Sequence, residues 1–366
     1  MEDPGDGLWL GRAAGPEGPA VVTLRGGQVI DVTCREVPTV SALLERPDAA
    51  AWLAGAEGAA LGPLEAVALL APCDLQVIKA CGVTFARSMI ERVIEERAAG
   101  DPARAEAIRA RVAEAIGGAL RDLQPGSPQA AEVKAWLIEE GLWSQYLEVG
   151  IGPDAEVFTK APVLSAVGTG AEIGLHPASR WNNPEPEVVL AVNSRGEIRG
   201  ATLGNDVNLR DVEGRSALLL GKAKDNNASC AIGPMIRLFD AGFTLDDVRR
   251  AELTLTVEGA DGYRLTGHSS MAEISRDPED LVRQTIGRHH QYPDGVMLFL
   301  GTLFAPVEDR DVPGEGFTHK PGDRVRIAAP GLGALENRVT LSTEAPEWRV
   351  GIGALMANLA ARGLLA

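Results

Sequence analysis

The chain has 366 residues, a formal net charge of −16 and a composition that is 45% hydrophobic. This length exceeds what a single hydrophobic core usually organises, and this hydrophobicity argues against intrinsic disorder. The acidic balance, without any clustered stripe of Lys and Arg, argues against a nucleic-acid-binding surface.

Membrane insertion and secretion are not expected either. No apolar run approaches the roughly 18 residues of a membrane helix. The first ten residues, MEDPGDGLWL, have neither the basic nor the apolar region of a signal peptide. We therefore expect a cytoplasmic protein. Its four cysteines lie far apart without metal-binding spacing, which favours incidental thiols over a zinc site or a disulfide framework.

The N-terminal half is predicted to contain a small α/β domain, residues 1–78, and a helical lid or insertion, residues 79–146. In residues 20–33, two β-branched runs flank Gly26-Gly27, which predicts a hairpin. Asp101-Pro102 and Ser127-Pro128 each place a capping side chain before a proline suited to the first helical turn. Between them an apolar stripe recurs every four residues and predicts a helix face in the core: Ile108, Val112, Ile116 and Leu120.

The C-terminal part, residues 147–366, changes to short apolar runs such as EVVLAV, AELTLTV and RVRIAA, separated by Gly, Asn, Asp and Pro. This pattern predicts a β-rich domain. Asp277-Pro278 opens a helix that runs toward His289 and His290, and the tail WRVGIGALMANLAARGLL is predicted to be a closing helix. The fold class is thus α+β.

A pair of glutamates begins one of these strands. In WNNPEPEVVLAV, Glu185 and Glu187 are two residues apart, so their side chains point to one face of the strand. A turn at residues 194–196 returns the chain to Asp206, which delivers a third carboxylate. Like charges this close are costly unless they are solvated, protonated or bridged by a cation. Three hard oxygen ligands suit Mg²⁺, or Mn²⁺, better than zinc.

The pattern alone leaves a simpler alternative open, because most acidic residues at strand ends are a solvated surface. Two basic residues in KAKDNNASCAIGP, Lys222 and Lys224, place positive charge in the same short stretch. If this segment is extended, both lysines share a face and both reach the site. The spacing by itself does not choose between a surface and a site.

The order of several motifs is more specific. PEPEVVL, GNDVNLRD, a Lys ahead of Gly233-Pro234, GTLFAP and KPGDRVRI together resemble the catalytic domain of the fumarylacetoacetate hydrolase superfamily. The resemblance implies a β-rich catalytic domain whose metal ligands are Glu185, Glu187 and Asp206. It further implies that Lys224 holds the keto acid, with Lys222 the weaker candidate. The substrate contacts that it implies are Asp206, Arg210 and Thr302.

The lid motif departs from the superfamily pattern. Many members that hydrolyse or decarboxylate carry a motif like GxNYxxHxxE, whereas this chain has GVTFARSMIE, with Ser88 at the His position and Glu91 retained. A neutral hydroxyl cannot replace an imidazole as proton acceptor at neutral pH. We expect Ser88 and Glu91, three residues apart on one helix face, to meet the substrate together. Glu91 is expected to exchange a proton and Ser88 to orient a hydroxyl.

Nearly the whole chain is similar to a bacterial branch of the superfamily that dehydrates 2-keto-3-deoxy-pentonate in oxidative, non-phosphorylating pentose breakdown. The resemblance implies loss of water to give 2-oxoglutarate semialdehyde, with a small 2-keto sugar acid as substrate and a homodimer or homotetramer as assembly. An acylpyruvate-type C–C hydrolase or an oxaloacetate decarboxylase is the alternative. A relative that binds keto acids without catalysis is a further one, disfavoured by the intact carboxylates and Lys224. His268, in GHSSM, is expected in a loop that faces the substrate.

Overall fold

The computed structural model describes residues 5–107, 109, 120, 123–304 and 306–365. Its strands are β1 Trp9–Gly15, β2 Gly18–Arg25, β3 Gln28–Asp31, β4 Ala59–Pro63, β5 Leu69–Leu70, β6 Val77–Gly82, β7 Glu156–Ala161, β8 Glu172–Leu175, β9 Pro186–Val192, β10 Ile198–Asp206, β11 Cys230–Leu238, β12 Glu252–Glu258, β13 Arg264–Ser270, β14 Val296–Phe299, β15 Arg324–Ala329 and β16 Gly333–Leu341. The α-helices whose two ends both lie in these ranges are α1 Val40–Glu45, α2 Ala49–Gly55, α3 Ala86–Ala98, α4 Pro128–Glu139, α5 Gln145–Ile151, α6 Arg210–Glu213, α7 Leu220–Lys224, α8 Leu245–Val248, α9 Pro278–Thr285 and α10 Ile352–Ala361.

Two sheets organise the described part of the chain. The larger runs β4-β3-β2-β1-β11-β10-β9-β14-β6-β7, with β5 paired to β1, and the smaller runs β13-β12-β15-β16-β8. The N-terminal strands therefore join the same sheet as the central strands β9 to β11. Boundaries at residues 78 and 146 stay predictions.

The burial pattern of the strands explains how the sheets pack. Strand β9 is buried at every position, as its continuous apolar run VVLAV requires for a strand covered on both faces. Strand β12 alternates between buried and accessible residues, which fits a strand with one face toward the core. Side chains of β9, β10, β12 and β15 share one hydrophobic core. This core lies between the two sheets and fixes the ends of β9 and β10.

Several local predictions are confirmed. Strands β2 and β3 pair antiparallel around Gly26 and Gly27, whose φ angles of +55° and +74° suit a tight hairpin turn. The Ser127 hydroxyl accepts from the Ala130 backbone N–H at 3.1 Å and caps α4. The Asp277 carboxylate accepts from the Glu279 N–H at 2.9 Å and caps α9, and the predicted closing helix is α10.

Other predictions differ in extent or fall outside the described residues. Helix α9 ends at Thr285, before His289 and His290, because Ile286 is extended, with φ −129° and ψ 137°. The Asp101 carboxylate caps helical residues 102–107 by accepting from the Ala103 N–H at 3.0 Å. Of the apolar stripe, Leu120 is buried, whereas positions 108, 112 and 116 lie outside the described residues. No described helix has the length and apolar character needed to cross a membrane.

Candidate metal centre

Three carboxylates meet where the β9–β10 hairpin opens. Glu185 directly precedes β9, Glu187 lies within it, and Asp206 is the last residue of β10. The Asp206 N–H donates to the Glu185 carbonyl at 3.0 Å, which holds the two strand ends together. One carboxylate oxygen from each residue lies within 4.8 Å of the others, and all three side chains are buried. We call these residues the carboxylate triad.

Cationic side chains surround two members of the triad. The Lys224 ammonium donates to Glu185 Oε2 at 2.5 Å and to Asp206 Oδ2 at 2.8 Å. Lys160, fully buried on β7, lies 2.7 Å from Asp206 Oδ1. The guanidinium of Arg92, on α3, donates to Glu185 Oε1. Both oxygens of Glu185 and both oxygens of Asp206 therefore have a positive partner.

The pKa values follow from this arrangement. Burial opposes ionisation of Asp206, but Lys160 and Lys224 outweigh it and lower the Asp206 pKa to about 2. Burial raises the pKa of Glu185, against Lys224 and Arg92. Burial, together with the charges of Asp206 and Glu185, raises the pKa of Glu187 well above its usual range. Of the three carboxylates, Glu187 is thus the one whose ionised form the protein supports least.

Glu187 is bonded differently from the other two members of the triad. Its Oε2 accepts from the Gly301 N–H at 2.6 Å, and no described Lys or Arg pairs with it. Gly301 has φ +91°, and a Cβ there would lie 2.1 Å from the Thr84 hydroxyl, so glycine is required for this approach. Buried carboxylates with one unpaired member suit a hard divalent cation such as Mg²⁺. The triad residues therefore fit a metal of this kind.

A narrow cavity opens onto the triad. Its wall contains Ser88 and Arg92 from α3, Glu156 and Phe158 from β7, and a group near the triad: Glu213, Lys224, Gly301 and Thr302. The volume open to the centre of a water molecule is ≈ 20 Å³ there. This is room for about one water molecule or an ion. A ligand larger than this requires one wall of the cavity to shift outward.

Glu156 is a candidate site residue that the sequence analysis missed. It begins β7 opposite Gly82 of β6, and it lines the cavity beside the triad. Burial, and next the charge of Glu213, raises its pKa from 4.5 to about 7. Glu156, Phe158 and Lys160 occupy every second position of β7. Assigning EVFTK to a strand from the sequence would therefore have placed the two charged residues on one face.

The two candidate lysines occupy a helix rather than an extended segment. Helix α7 spans Leu220–Lys224, so the prediction that Lys222 and Lys224 share a face was wrong. Residues two apart on a helix point about 200° apart at 3.6 residues per turn. Lys224 is buried at the triad, whereas Lys222 is exposed.

The lid residues separate in the structure. Helix α3 forms as expected, and Ser88 lines the cavity, where its hydroxyl donates to the Phe85 carbonyl at 2.9 Å. Glu91 is not among the lining residues; it accepts from Arg109 and lies 3.6 Å from Arg210. The structure therefore brings Ser88, and not Glu91, to the cavity.

The predicted substrate contacts also divide. Thr302 lines the cavity, and its hydroxyl accepts from the Phe304 N–H at 3.2 Å. Arg210 is buried away from it, where its guanidinium donates to Glu95 Oε1 at 2.7 Å and stacks 4.2 Å from the Trp181 ring centre. His268 lies exposed on strand β13 rather than in a loop facing the cavity.

Comparison with curated proteins finds two relatives of known name. A probable 2-keto-3-deoxyxylonate dehydratase of Haloferax volcanii is 32% identical over 202 residues, which are 55% of this chain and 66% of that protein. A 2-dehydro-3-deoxy-D-arabinonate dehydratase of Saccharolobus solfataricus is 30% identical over 183 residues, 49% of this chain and 57% of that protein. The matched residues thus cover 66% and 57% of the two relatives' lengths, less than two thirds of each.

Solved structures share the fold over almost all of the chain. A 2-keto-3-deoxy-D-arabinonate dehydratase in its apo form superposes with a TM-score of 0.64 at 20% identity, covering 91% of this chain and 99% of that one. The same enzyme complexed with magnesium and 2,5-dioxopentanoate superposes with a TM-score of 0.62, also at 20% identity and with the same coverage. The expected α+β fold class is confirmed.

The profile of the fumarylacetoacetate (FAA) hydrolase C-terminal family matches residues 148–340. This range is more than half of the chain, and it contains the carboxylate triad, Glu156, Lys224 and Thr302. The superfamily resemblance drawn from the sequence is confirmed. The chain belongs to the fumarylacetoacetate hydrolase family.

Proposed function

We propose that this protein is a divalent-metal-dependent dehydratase that converts a 2-keto-3-deoxy-pentonate into 2,5-dioxopentanoate, which is 2-oxoglutarate semialdehyde. The observation that carries the proposal is the buried carboxylate triad with Lys224, beside a titratable Glu156 and a lid without an imidazole. The names of both curated relatives, and the product held by one structural neighbour, support the same reaction.

The metal in this proposal is Mg²⁺, with Mn²⁺ as a substitute, held by Glu185, Glu187 and Asp206. Bound there, a divalent cation supplies Lewis-acid withdrawal of electrons from the 2-keto group, which acidifies C3. Lys224 adds a fixed positive charge beside the same carboxylates and holds the keto acid. The Thr302 hydroxyl, on the cavity wall, receives the substrate carboxylate. In this scheme these two groups orient the substrate in the cavity whose wall also contains Glu156.

Glu156 moves the proton in this scheme. With a pKa of about 7, its carboxylate can accept a proton from C3 and, once protonated, return it to the departing C4 hydroxyl. The C3–H and C4–O bonds break, a C3–C4 double bond forms, and water leaves. Loss of a proton from C5 and addition of a proton at C3 then move the double bond to C4–C5. The resulting C5 enol tautomerises to the aldehyde. No water nucleophile is needed.

Hydrolysis of acylpyruvates is the alternative that the lid disfavours. Where the superfamily's hydrolytic motif has an imidazole base on the lid, this chain has Ser88, whose hydroxyl donates its proton to the Phe85 carbonyl. The Ser88 hydroxyl remains suited to orienting a substrate hydroxyl. Glu91 is a second candidate for proton exchange if α3 moves when the substrate binds.

Incubation of purified protein and Mg²⁺ with D- and L-2-keto-3-deoxy-pentonate tests the proposal. We expect one or both to yield 2,5-dioxopentanoate, measured with a semialdehyde dehydrogenase, and expect EDTA to stop the reaction. Glu187→Gln serves as the inactive control. Cleavage of an acylpyruvate without water loss from either sugar acid would overturn the dehydratase in favour of the hydrolase.

The family resemblance also suggests an oligomeric state and a cellular location for the protein. We infer that the protein acts in the cytoplasm as a homodimer or homotetramer. Light scattering coupled to size-exclusion chromatography measures the assembly directly, and a 38.5 kDa species across micromolar concentrations would contradict it.

A further inference from the structure

One arginine ties helix α3 to the carboxylate triad. Arg92 Nη2 donates to Glu185 Oε1, whereas Nη1 donates to Glu95 Oε2 at 2.5 Å and lies 2.9 Å from Glu213 Oε2. The Arg92 side chain is only 12% exposed. A single guanidinium thus joins α3, the start of β9 and the end of α6.

This contact fixes the orientation of a proposed metal ligand. Lys224 holds Glu185 Oε2, and Arg92 holds Glu185 Oε1, so the Glu185 carboxylate is restrained from both sides. A carboxylate can bind a metal through one oxygen while the other oxygen accepts from an arginine. Groups that orient metal ligands in this way typically contribute about 10–100-fold to metal affinity.

We propose that Arg92 is a positioning residue that orients Glu185 for the metal and thereby makes the docking of α3 depend on occupancy of the triad. The proposal rests on the metal-binding part of the proposed function, and not on the identity of the keto acid. Arginine suits the role because its planar fork holds carboxylates with both amino groups at once, which a lysine ammonium cannot do.

Simple electrostatics makes the opposite prediction. A positive charge beside a cation site repels the cation, so removal of Arg92 would strengthen metal binding if charge were its only effect. If Arg92 positions Glu185, its removal weakens metal binding. The sign of the change therefore separates the two roles.

Linkage adds a second, independent consequence. If docked α3 raises the affinity of the triad for metal, bound metal must stabilise docked α3 by the same factor. Helix α3 forms the cavity wall that carries Ser88, and the ≈ 20 Å³ of free space requires a wall to shift before a sugar acid enters. Metal occupancy would then set how firmly this wall is closed.

Metal titration without substrate tests the first consequence. The variants are Arg92→Met, Arg92→Lys and the control Arg97→Met, which makes the same change on an exposed position of α3 whose side chain contacts the Gly141 carbonyl. Titration calorimetry with Mg²⁺, and Mn²⁺ paramagnetic resonance, should show binding weakened about 10–100-fold in Arg92→Met. Arg92→Lys should lie in between, and Arg97→Met should match wild type. Unchanged or tighter binding by Arg92→Met overturns the proposal.

Hydrogen exchange of the amides of α3 tests the second consequence. Saturating Mg²⁺ should slow exchange in α3 of the wild type and of Arg97→Met, and have little effect in Arg92→Met. If Mg²⁺ leaves the exchange rates of wild-type α3 unchanged, or raises them, the proposal is overturned. This measurement uses wild type, so it remains valid even if Arg92→Met folds poorly. Absence of any Mg²⁺ binding by wild type would overturn the metal assignment as well, whereas failure of the sugar-acid assay alone would leave the Arg92 result intact.

Discussion

Replacement of Glu156 by Gln should raise the stability of the protein near neutral pH and lower its activity. Burial raises the Glu156 pKa from 4.5 to about 7, so the folded protein holds a proton that the unfolded chain releases between these pH values. The free energy of unfolding therefore falls as pH rises through this window. A shift from 4.5 to about 7 corresponds to at most roughly 3 kcal/mol at 1.36 kcal/mol per pKa unit. The amide of Glu156→Gln does not ionise, so the variant does not lose this stability as pH rises.

Urea unfolding in EDTA measures the effect. Relative to wild type, Glu156→Gln should gain stability between pH 5 and pH 8, by up to roughly 3 kcal/mol. The control Glu139→Gln, on the exposed end of α4, should show no such gain. With Mg²⁺ and substrate, kcat of Glu156→Gln should fall about 10²–10⁴-fold, and the loss of rate below neutral pH that we expect for wild type should be absent from the variant.

Two results would refute this reasoning. If wild type and Glu156→Gln keep the same stability difference from pH 5 to pH 8, the Glu156 carboxyl is not held protonated by burial. If Glu156→Gln retains wild-type turnover, another group moves the C3 proton. The two measurements are independent, since the first uses no metal and no substrate.

Other substitutions test the remaining site residues. Conversion of any member of the carboxylate triad to its amide should abolish Mg²⁺ binding and turnover with the fold retained by circular dichroism, because each supplies a ligand; normal turnover at saturating Mg²⁺ would remove that residue from the metal site. Lys224→Ala should lose far more activity than Lys222→Ala, because only Lys224 is buried at the triad; the reverse order in kinetic assays would contradict the assignment. Ser88→Ala should cost about 1–3 kcal/mol in kcat/KM, as for an unmet polar contact. Glu91→Gln should slow dehydration about 10²–10⁴-fold if Glu91, rather than Glu156, exchanges the proton, and a smaller effect would leave that role to Glu156.

The triad is an example of a site that local sequence rules find. The two-residue period of a strand puts Glu185 and Glu187 on one face, and the turn at residues 194–196 returns β10 so that Asp206 arrives opposite them. These are short-range constraints, and the structure reproduces each of them. Of the two lysines, Lys224, which superfamily spacing ranks first, is the buried one, although the segment assumed to be extended is a helix.

Sequence alone determined the elements whose geometry is set within a few residues: the capped helices, the Gly26-Gly27 hairpin and the shared face of two glutamates. Tertiary structure decided the rest, because side chains far apart in the chain come into contact only when the sheets and helices pack. Glu156 gains a raised pKa from burial beside Glu213, and Arg92 meets Glu185 across 93 residues. Glu91 shares a helix with Ser88, yet pairs with Arg109 outside the cavity. Burial and long-range pairing are properties of the packed fold, and local periodicity does not contain them.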